Sequence, residues 1–402
     1  VSGTAPATAK YEQKRQTLVA AASAILNRKG VAGLTLAEVG AAVGFNTTSV
    51  TYYFRKKEDL AAACILSAVD RLDAIIAEAA QASGLEARVR RLLDLWLGER
   101  FEIAAGLTPP TARFNDIRAL APPHRDRVVE AFNLMFHRLG DLLDAEGRPL
   151  PRRRRNARVN LLLEQLLWLV AWLPRYDAED QPRLVARMFD ILMNGLAPEG
   201  AAWAPRALDT YAPPEEPARA TFLTAATRLI NQQGYRGASV DRISASLNLT
   251  KGSFYHHNEA KDDLVEACFE RTYLTMERAQ RAALAAATNQ YDALASSTAA
   301  LVAGQLTDSG LLLRSSALSV VPEPISARML QRAQRVTDRF AAMISDGVAD
   351  GSIRPVDPFI AAQVIHGAIN AVADLPRLAP NLGPAEAVSL YARTTLTGLL
   401  RD

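Results

Sequence analysis

The residues best suited to chemistry in this chain lie between positions 47 and 57, which read Thr-Thr-Ser-Val-Thr-Tyr-Tyr-Phe-Arg-Lys-Lys. Hydroxyl groups on a short helix can hydrogen-bond to base edges or to phosphate oxygens, and the cations that follow complement a phosphate backbone. Thr47, Thr48, Ser49 and Thr51 are the candidates for base-edge or phosphate contact, and Tyr52, Tyr53 and Lys57 for phosphates. Such a helix suits the major groove of DNA when a second helix braces it.

The bracing element is legible just upstream. Thr35 is placed to cap a helix, and Glu38 three residues on completes a capping box. Ala37, Ala41 and Val43 are small and apolar, as close helix packing requires. Gly44 supplies the positive φ of a sharp turn, and Asn46 is a good cap for the helix it precedes. Glu58-Asp59-Leu60 then opens a longer helix. The whole stretch returns 204 positions later as Ser239 to Leu264, with Asn248 for Gly44, Thr250 for Asn46, Phe254 for Val50 and Lys261 for Lys57. The corresponding contact candidates are Thr250, Lys251, Ser253, Tyr255, His256, His257 and Lys261, and Gly252 lets backbone approach the DNA closely.

Both stretches resemble the DNA-binding domain of the tetracycline-repressor (TetR/AcrR) family of bacterial transcription regulators. The resemblance rests on Thr250-Lys251-Gly252-Ser253-Phe254-Tyr255-His256-His257 in the second copy, and on Tyr52-Tyr53-Phe54 with Lys57-Glu58-Asp59-Leu60 in the first. Thr51 departs from the family pattern in place of an aromatic residue, and Asn258 in place of Phe. The resemblance implies an all-α fold in which each three-helix DNA-binding domain is followed by a helical ligand-binding and dimerisation domain. It also implies an operator as partner and a small-molecule effector.

Composition agrees with a soluble multidomain chain: 402 residues, 49% hydrophobic and 22% charged, with a formal net charge of +3. The charge that bears on nucleic acid is local, because residues 1–60 hold eight Lys/Arg against four Asp/Glu. Two cysteines are too few for a disulfide framework and fit a reducing cytoplasm. Cys64 and Cys268 occupy equivalent helical positions and read as small buried hydrophobes. No signal peptide is visible, and the apolar stretch 159–173 is interrupted by Asn160, Glu164 and Gln165, which argues against a membrane span. The adjacent His256 and His257 face different ways on a helix, and the other histidines are scattered, so no metal site is expected. With no nucleophile elbow or phosphate-cradling glycine loop, catalytic residues and cofactors are not expected either.

Apolar residues recur with helical and not strand periodicity, so the chain reads as all-α. The expected divisions are a disordered arm at 1–10, a DNA-binding domain at 11–58, a helical regulatory domain at 59–196, a proline-rich linker at 197–216, a second DNA-binding domain at 217–262 and a second regulatory domain at 263–402. The duplication extends past the DNA motif. Leu173-Pro174-Arg175 is answered by Leu375-Pro376-Arg377, and the Leu192–Leu196 segment, with Gly195, by Leu396–Leu399, with Gly398.

In the family, the last two helices of each subunit form a four-helix dimer bundle. Here those helices would be 154–173 with 181–196, and 358–375 with 385–400, so that one chain forms an intramolecular pseudo-dimer at high effective concentration. Pairing of two such chains, or a scaffold protein with a degenerate second motif, are the alternatives. Trp96, Phe101, Phe114, Phe132, Met135 and Phe136 sit on helices that surround an effector cavity in the family, which favours the first half as the ligand-holding one. Core packing explains the same spacing. The run Arg152–Arg155 reads as a solvated helix start, an odd place for cations beside the helix dipole.

Overall fold

Side-chain caps start several helices, with Thr35, Asn46, Ser239, Asn289 and Asp357 each accepting from a backbone amide of the first turn. The computed structural model describes residues 5–144, 150–208, 217–247, 261–319, 321, 323–379 and 381–399, and among them it contains helices, turns and no strands. The first half contains α1 (Ala5–Gly33), α2 (Leu36–Ala42), α3 (Thr47–Tyr53), α4 (Lys57–Ala79), α5 (Leu85–Ala104), α6 (His124–Leu143), α7 (Arg152–Trp172) and α8 (Gln181–Asn194). The second half contains α9 (Pro217–Gly237), α10 (Val240–Ser246), α11 (Lys261–Ala286), α12 (Gln290–Gly304), α13 (Glu323–Ala349), α14 (Pro358–Ala371) and a last helix α15 (384–397) with a π-helical centre, Val388–Arg393.

Of the expected arm at 1–10, residues 5–10 continue α1, as their alanines favour. The linker is docked before residue 209: the Arg206 amide donates to Ser296 Oγ at 2.9 Å, and its guanidinium reaches Asp292 at 2.7 Å. The helix start at Arg152–Arg155 is likewise occupied. Arg153 Nη1 donates to both carboxylate oxygens of Glu386 of α15 at 3.0 Å, and Arg155 reaches Asp144 at 3.0 Å, so anionic neighbours offset the unfavourable dipole.

The halves meet along α7 and α14. Asn160 donates to the Ala371 carbonyl at 2.9 Å and to the Tyr391 hydroxyl at 3.0 Å, Gln165 to the Val364 carbonyl at 3.0 Å, and Trp168 Nε1 to Gln363 at 2.9 Å. Asn370 donates to the Glu164 carboxylate. The three polar residues that interrupt the apolar stretch of α7 thus all hydrogen-bond across this seam, as does Trp168. The segment Pro358–Leu378 is itself long and apolar enough to cross a membrane, but most of it is buried here against α7, α8 and α13. Apolar packing is continuous through the helical bodies of both halves and the second N-terminal helical head (217–247 among the described residues), whereas the first head (11–58) has its own core around Leu18, Leu26, Val39, Val50, Leu60 and Ile65.

At the far end of the seam the two repeated glycine motifs meet each other. The amides of Leu196 and Ala197 donate to the Leu396 carbonyl at 2.8 and 3.1 Å, and the Leu399 amide donates to the Leu192 carbonyl at 2.6 Å. Gly195 and Gly398 hold positive φ of 66° and 103°, and a Cβ on either would collide with backbone of the opposite half. Gly398→Ala is therefore expected to lose more stability than Gly351→Ala, whose φ is 78° but whose Cβ would meet nothing within 4 Å. Strain alone costs ~1–3 kcal/mol and the collision adds to it. Urea unfolding of the two variants checks this, and equal losses would count against the interlock.

Candidate nucleic-acid interface and the cavity behind it

Helix α3 is built from both ends. The Ser49 amide donates to Asn46 Oδ1 at 2.7 Å, and Gly44 turns the chain with φ of 72°. Thr35 caps α2 by accepting from the Glu38 amide at 3.2 Å, but the Glu38 carboxylate pairs with Lys29 at 2.9 Å, so only half of the expected box forms. The close contact between α2 and α3 comes from Gly40, not from Ala37 and Ala41, which are exposed. A Cβ at residue 40 would lie 2.6 Å from the Phe45 carbonyl oxygen and 3.0 Å from Val50 Cγ2.

Buried Val50 and Phe54 seat the inner face of α3. On its other side Thr47, Thr48, Thr51 and Tyr52 are exposed, and Ser49 and Tyr53 are half-buried. The Thr51 hydroxyl donates to the Thr47 carbonyl at 2.8 Å, which engages its proton within the helix. Tyr11 of α1 joins Tyr52 and Tyr53 in a cluster with ring centroids 4.8–5.9 Å apart. Arg55 and Lys56 are exposed beside it, while the Lys57 ammonium folds back to the Ala32 carbonyl at 3.0 Å.

In the second head Ser239 caps α10, accepting from the Arg242 amide at 3.3 Å. Thr250, Lys251, Gly252, Ser253, Tyr255, His256 and His257 lie outside the described residues. Lys261, the counterpart of Lys57, stands 4.2 Å over the Tyr235 ring, again against the end of the first helix of its head. Burial raises the Cys64 thiol to about 12 and the Cys268 thiol to about 11, so neither carries a reactive thiolate near neutrality.

Each head is tied to its body by an asparagine that the sequence reading missed. Asn27 donates to the Thr111 carbonyl at 2.9 Å and accepts from the Arg113 amide at 2.9 Å. Asn231 does the same with Leu312 at 2.8 Å and Arg314 at 3.0 Å. The signal was present: the two asparagines are 204 residues apart, and each precedes a helix-kinking glycine by three positions.

Between the halves lies a cavity of about 810 Å³. The 3-10 turns Phe114–Ala119 and Ser315–Ser319, with α6, α7, α13 and α14, surround it. Of the six aromatic and Met candidates, Phe114 and Phe132 line it. Trp96, Phe101, Met135 and Phe136 are buried in the core instead, and Trp96 Nε1 donates to the Leu166 carbonyl at 2.7 Å. The cavity draws residues from both halves, with Phe114 and Phe132 on the side of the half expected to favour a ligand.

Its wall is charged. Arg118 and Arg314 share the Asp374 carboxylate, with Arg118 at 3.1 Å. Burial penalises the Asp374 charge, but the two guanidiniums hold its carboxyl below the usual range. Burial dominates at Glu164 and raises its carboxyl to about 7, against the pull of Arg314. His366, stacked on Trp168 at 4.7 Å and 3.0 Å from Ser315 Oγ, is lowered by burial to about 4 and is neutral. In the repeat, Asp374 stands where the first half has Trp172, which packs against Tyr176 and Phe359.

Comparison with known proteins bears on the heads. Residues 18–64 and 222–268 each match the model of bacterial regulatory proteins of the tetR family. The Transposon Tn10 TetC protein of Escherichia coli is 33% identical over 57 residues, which are 14% of this chain and 29% of that protein, so the match spans less than a third of its length. Among solved structures, the TetR family transcriptional regulator PfmR from Thermus thermophilus aligns with 20% identity and a TM-score of 0.38, over 45% of this chain and 99% of its own. The ketosteroid transcriptional regulator KstR2 of Mycobacterium tuberculosis aligns with 16% identity and a TM-score of 0.38, over 46% and 96%.

Two outcomes follow from the geometry. Gly40→Ala is expected to destabilise the first head by ~1–3 kcal/mol. Hydrogen exchange of the amides in 47–54 reads this directly, and unchanged protection would show that Gly40 is not the tight contact. For Glu164, the raised native pKa means that its favourable contribution is complete below the usual 4.5 and is lost as pH rises through about 7. Glu164→Gln removes that loss, so relative to the parent its melting temperature should rise by ~2–4 °C between pH 5 and pH 8. Parallel pH profiles would rule out the buried titration.

Proposed function

We propose that this chain, whose residues 18–64 and 222–268 each match the tetR-family model, is a sequence-specific DNA-binding transcription regulator, a repressor that a small-molecule effector releases from its operator. The observation that carries this reading is α3: a capped, core-seated helix with Thr47, Thr48 and Tyr52 exposed and with Arg55 and Lys56 beside it. Thr47, Thr48, Ser49 and Thr51 take base edges or phosphates, and Tyr52, Tyr53 and Lys57 take phosphates once Lys57 leaves the Ala32 carbonyl. In the second copy Thr250, Lys251, Ser253, Tyr255, His256, His257 and Lys261 take the same parts, and Gly252 lets backbone approach the DNA closely.

The chain reads DNA as an intramolecular pseudo-dimer. Support comes from the seam, where the bundle helices of the two halves already cover one another through Asn160, Gln165 and the Gly195–Gly398 interlock. Two heads then meet half-sites about 34–36 Å apart on one face of the duplex. The half-sites are unlike, because Thr47, Thr48, Ser49 and Thr51 differ from Lys251, Gly252, Ser253 and Tyr255. Helix α4, which packs on α1 of the first head and on α6 of its body, carries the effector response. The effector must prefer the released state, since equal affinity for both states moves nothing.

DNA selection with the full chain, followed by footprinting and a salt titration, tests the reading. One chain per operator, two dissimilar half-sites and a steep loss of affinity with salt are expected, and Thr48→Ala should weaken one half-site only. Identical half-sites, or binding with no salt dependence, would defeat it.

A further inference from the structure

The cavity between the halves has a composition that points to its ligand. Six arginines and three acidic residues border it, an excess of three positive charges before any titration. Glu164, raised to about 7, carries less than a full charge at neutral pH and so does not restore the balance. Two guanidiniums compete for one carboxylate at Asp374, although each offers five N–H donors. Arg314 is 9% exposed, and its Nε has no hydrogen-bond partner. A buried donor left unpaired is costly, and an entering anion would satisfy it. Beside these charges the wall is apolar and aromatic, with Phe132, Trp168, Leu318, Val321 and Leu330. A volume of about 810 Å³ is ample for a small molecule.

We propose that this cavity is a composite binding site for an amphipathic carboxylate, whose anionic head sits between Arg118 and Arg314 and whose apolar body lies against Phe132 and Trp168. The site needs both halves: Arg118, Phe132 and Trp168 come from one, and Arg314 and Asp374 from the other. It is also wired to both heads. Arg113 and Arg314 line the cavity, and they are the two residues whose backbone amides are held by Asn27 of α1 and Asn231 of α9. A molecule that spreads these walls pulls on the first helix of each DNA-binding domain at once. Binding stands on the geometry of the cavity, and the effector role rests on the regulator reading above.

Calorimetry on the full chain with sodium decanoate, decan-1-ol and decylamine tests the site. Decanoate is expected to bind once per chain, at least tenfold more tightly than either of the other two. Arg314→Gln should weaken it at least tenfold. Because Arg314 is also tied to Asp374, Ala171→Trp serves as the second variant: Ala171 borders the cavity but is exposed, so bulk there fills the space without entering the core. It should abolish decanoate binding at an unchanged melting temperature. No decanoate binding, two molecules per chain, equal affinity for decan-1-ol, or normal binding by Ala171→Trp would each overturn the proposal. Release of operator DNA at the concentrations that saturate the cavity supports the effector role, and binding without release removes it. A chain that binds decanoate but no DNA would defeat the regulator reading and leave the site standing.

Discussion

The structure depends on burying amide and carboxyl side chains between α7 and α14. Asn160, Glu164 and Gln165 sit in the apolar stretch of α7, where an unpaired polar group would be expensive. Each hydrogen-bonds with the other half of the chain: Ala371 and Tyr391 for Asn160, Asn370 for Glu164, Val364 for Gln165. Apolar surface alone tolerates many relative positions of two helices, whereas these hydrogen bonds fix one. Gly367 shows how close the approach is, since a Cβ there would lie 2.8 Å from Gln165 Oε1. The seam thus fixes the register of the two bodies and, with it, the shape of the cavity that opens beside Trp168.

From that register the charges follow. Arg118 and Arg314 start from opposite halves and converge on Asp374 because the helices bring them there. Burial raises Glu164 and the neighbouring Asp374 charge adds to it, whereas at Asp374 the guanidiniums of Arg314, Arg118 and Arg377 outweigh desolvation. The Asn27 and Asn231 clamps carry the same register outward to the heads, through a donor and an acceptor on one side chain.

What could be read in advance was what neighbours in sequence determine. Asn46 and Thr35 as caps, Gly44 as the turn, and helices such as Leu85–Ala104 depend on residues within a turn or two of one another. Glu38 failed as half of a capping box because Lys29, nine residues earlier, is brought within reach by the helix kink at Gly30. Trp96, Met135 and Phe136 have the spacing of a pocket lining and of a core alike, and only packing distinguishes the two. The cavity was invisible because Arg118 and Arg314 are almost 200 residues apart, with no periodicity linking them. Asn160, Glu164 and Gln165 stood out as polar interruptions, but nothing local to α7 named their partners.

The place of Asp374 opposite Trp172 has an evolutionary consequence. In a dimer of identical chains every substitution appears twice, so an acid introduced near the symmetry axis confronts its own copy and a useful lesion on one side is a liability on the other. Here a single codon changes a single position. One wall of the central chamber can gain an acid between two arginines while the other keeps an indole against Tyr176 and Phe359. Selection can therefore tune the two sides, and the two heads, as separate genetic traits.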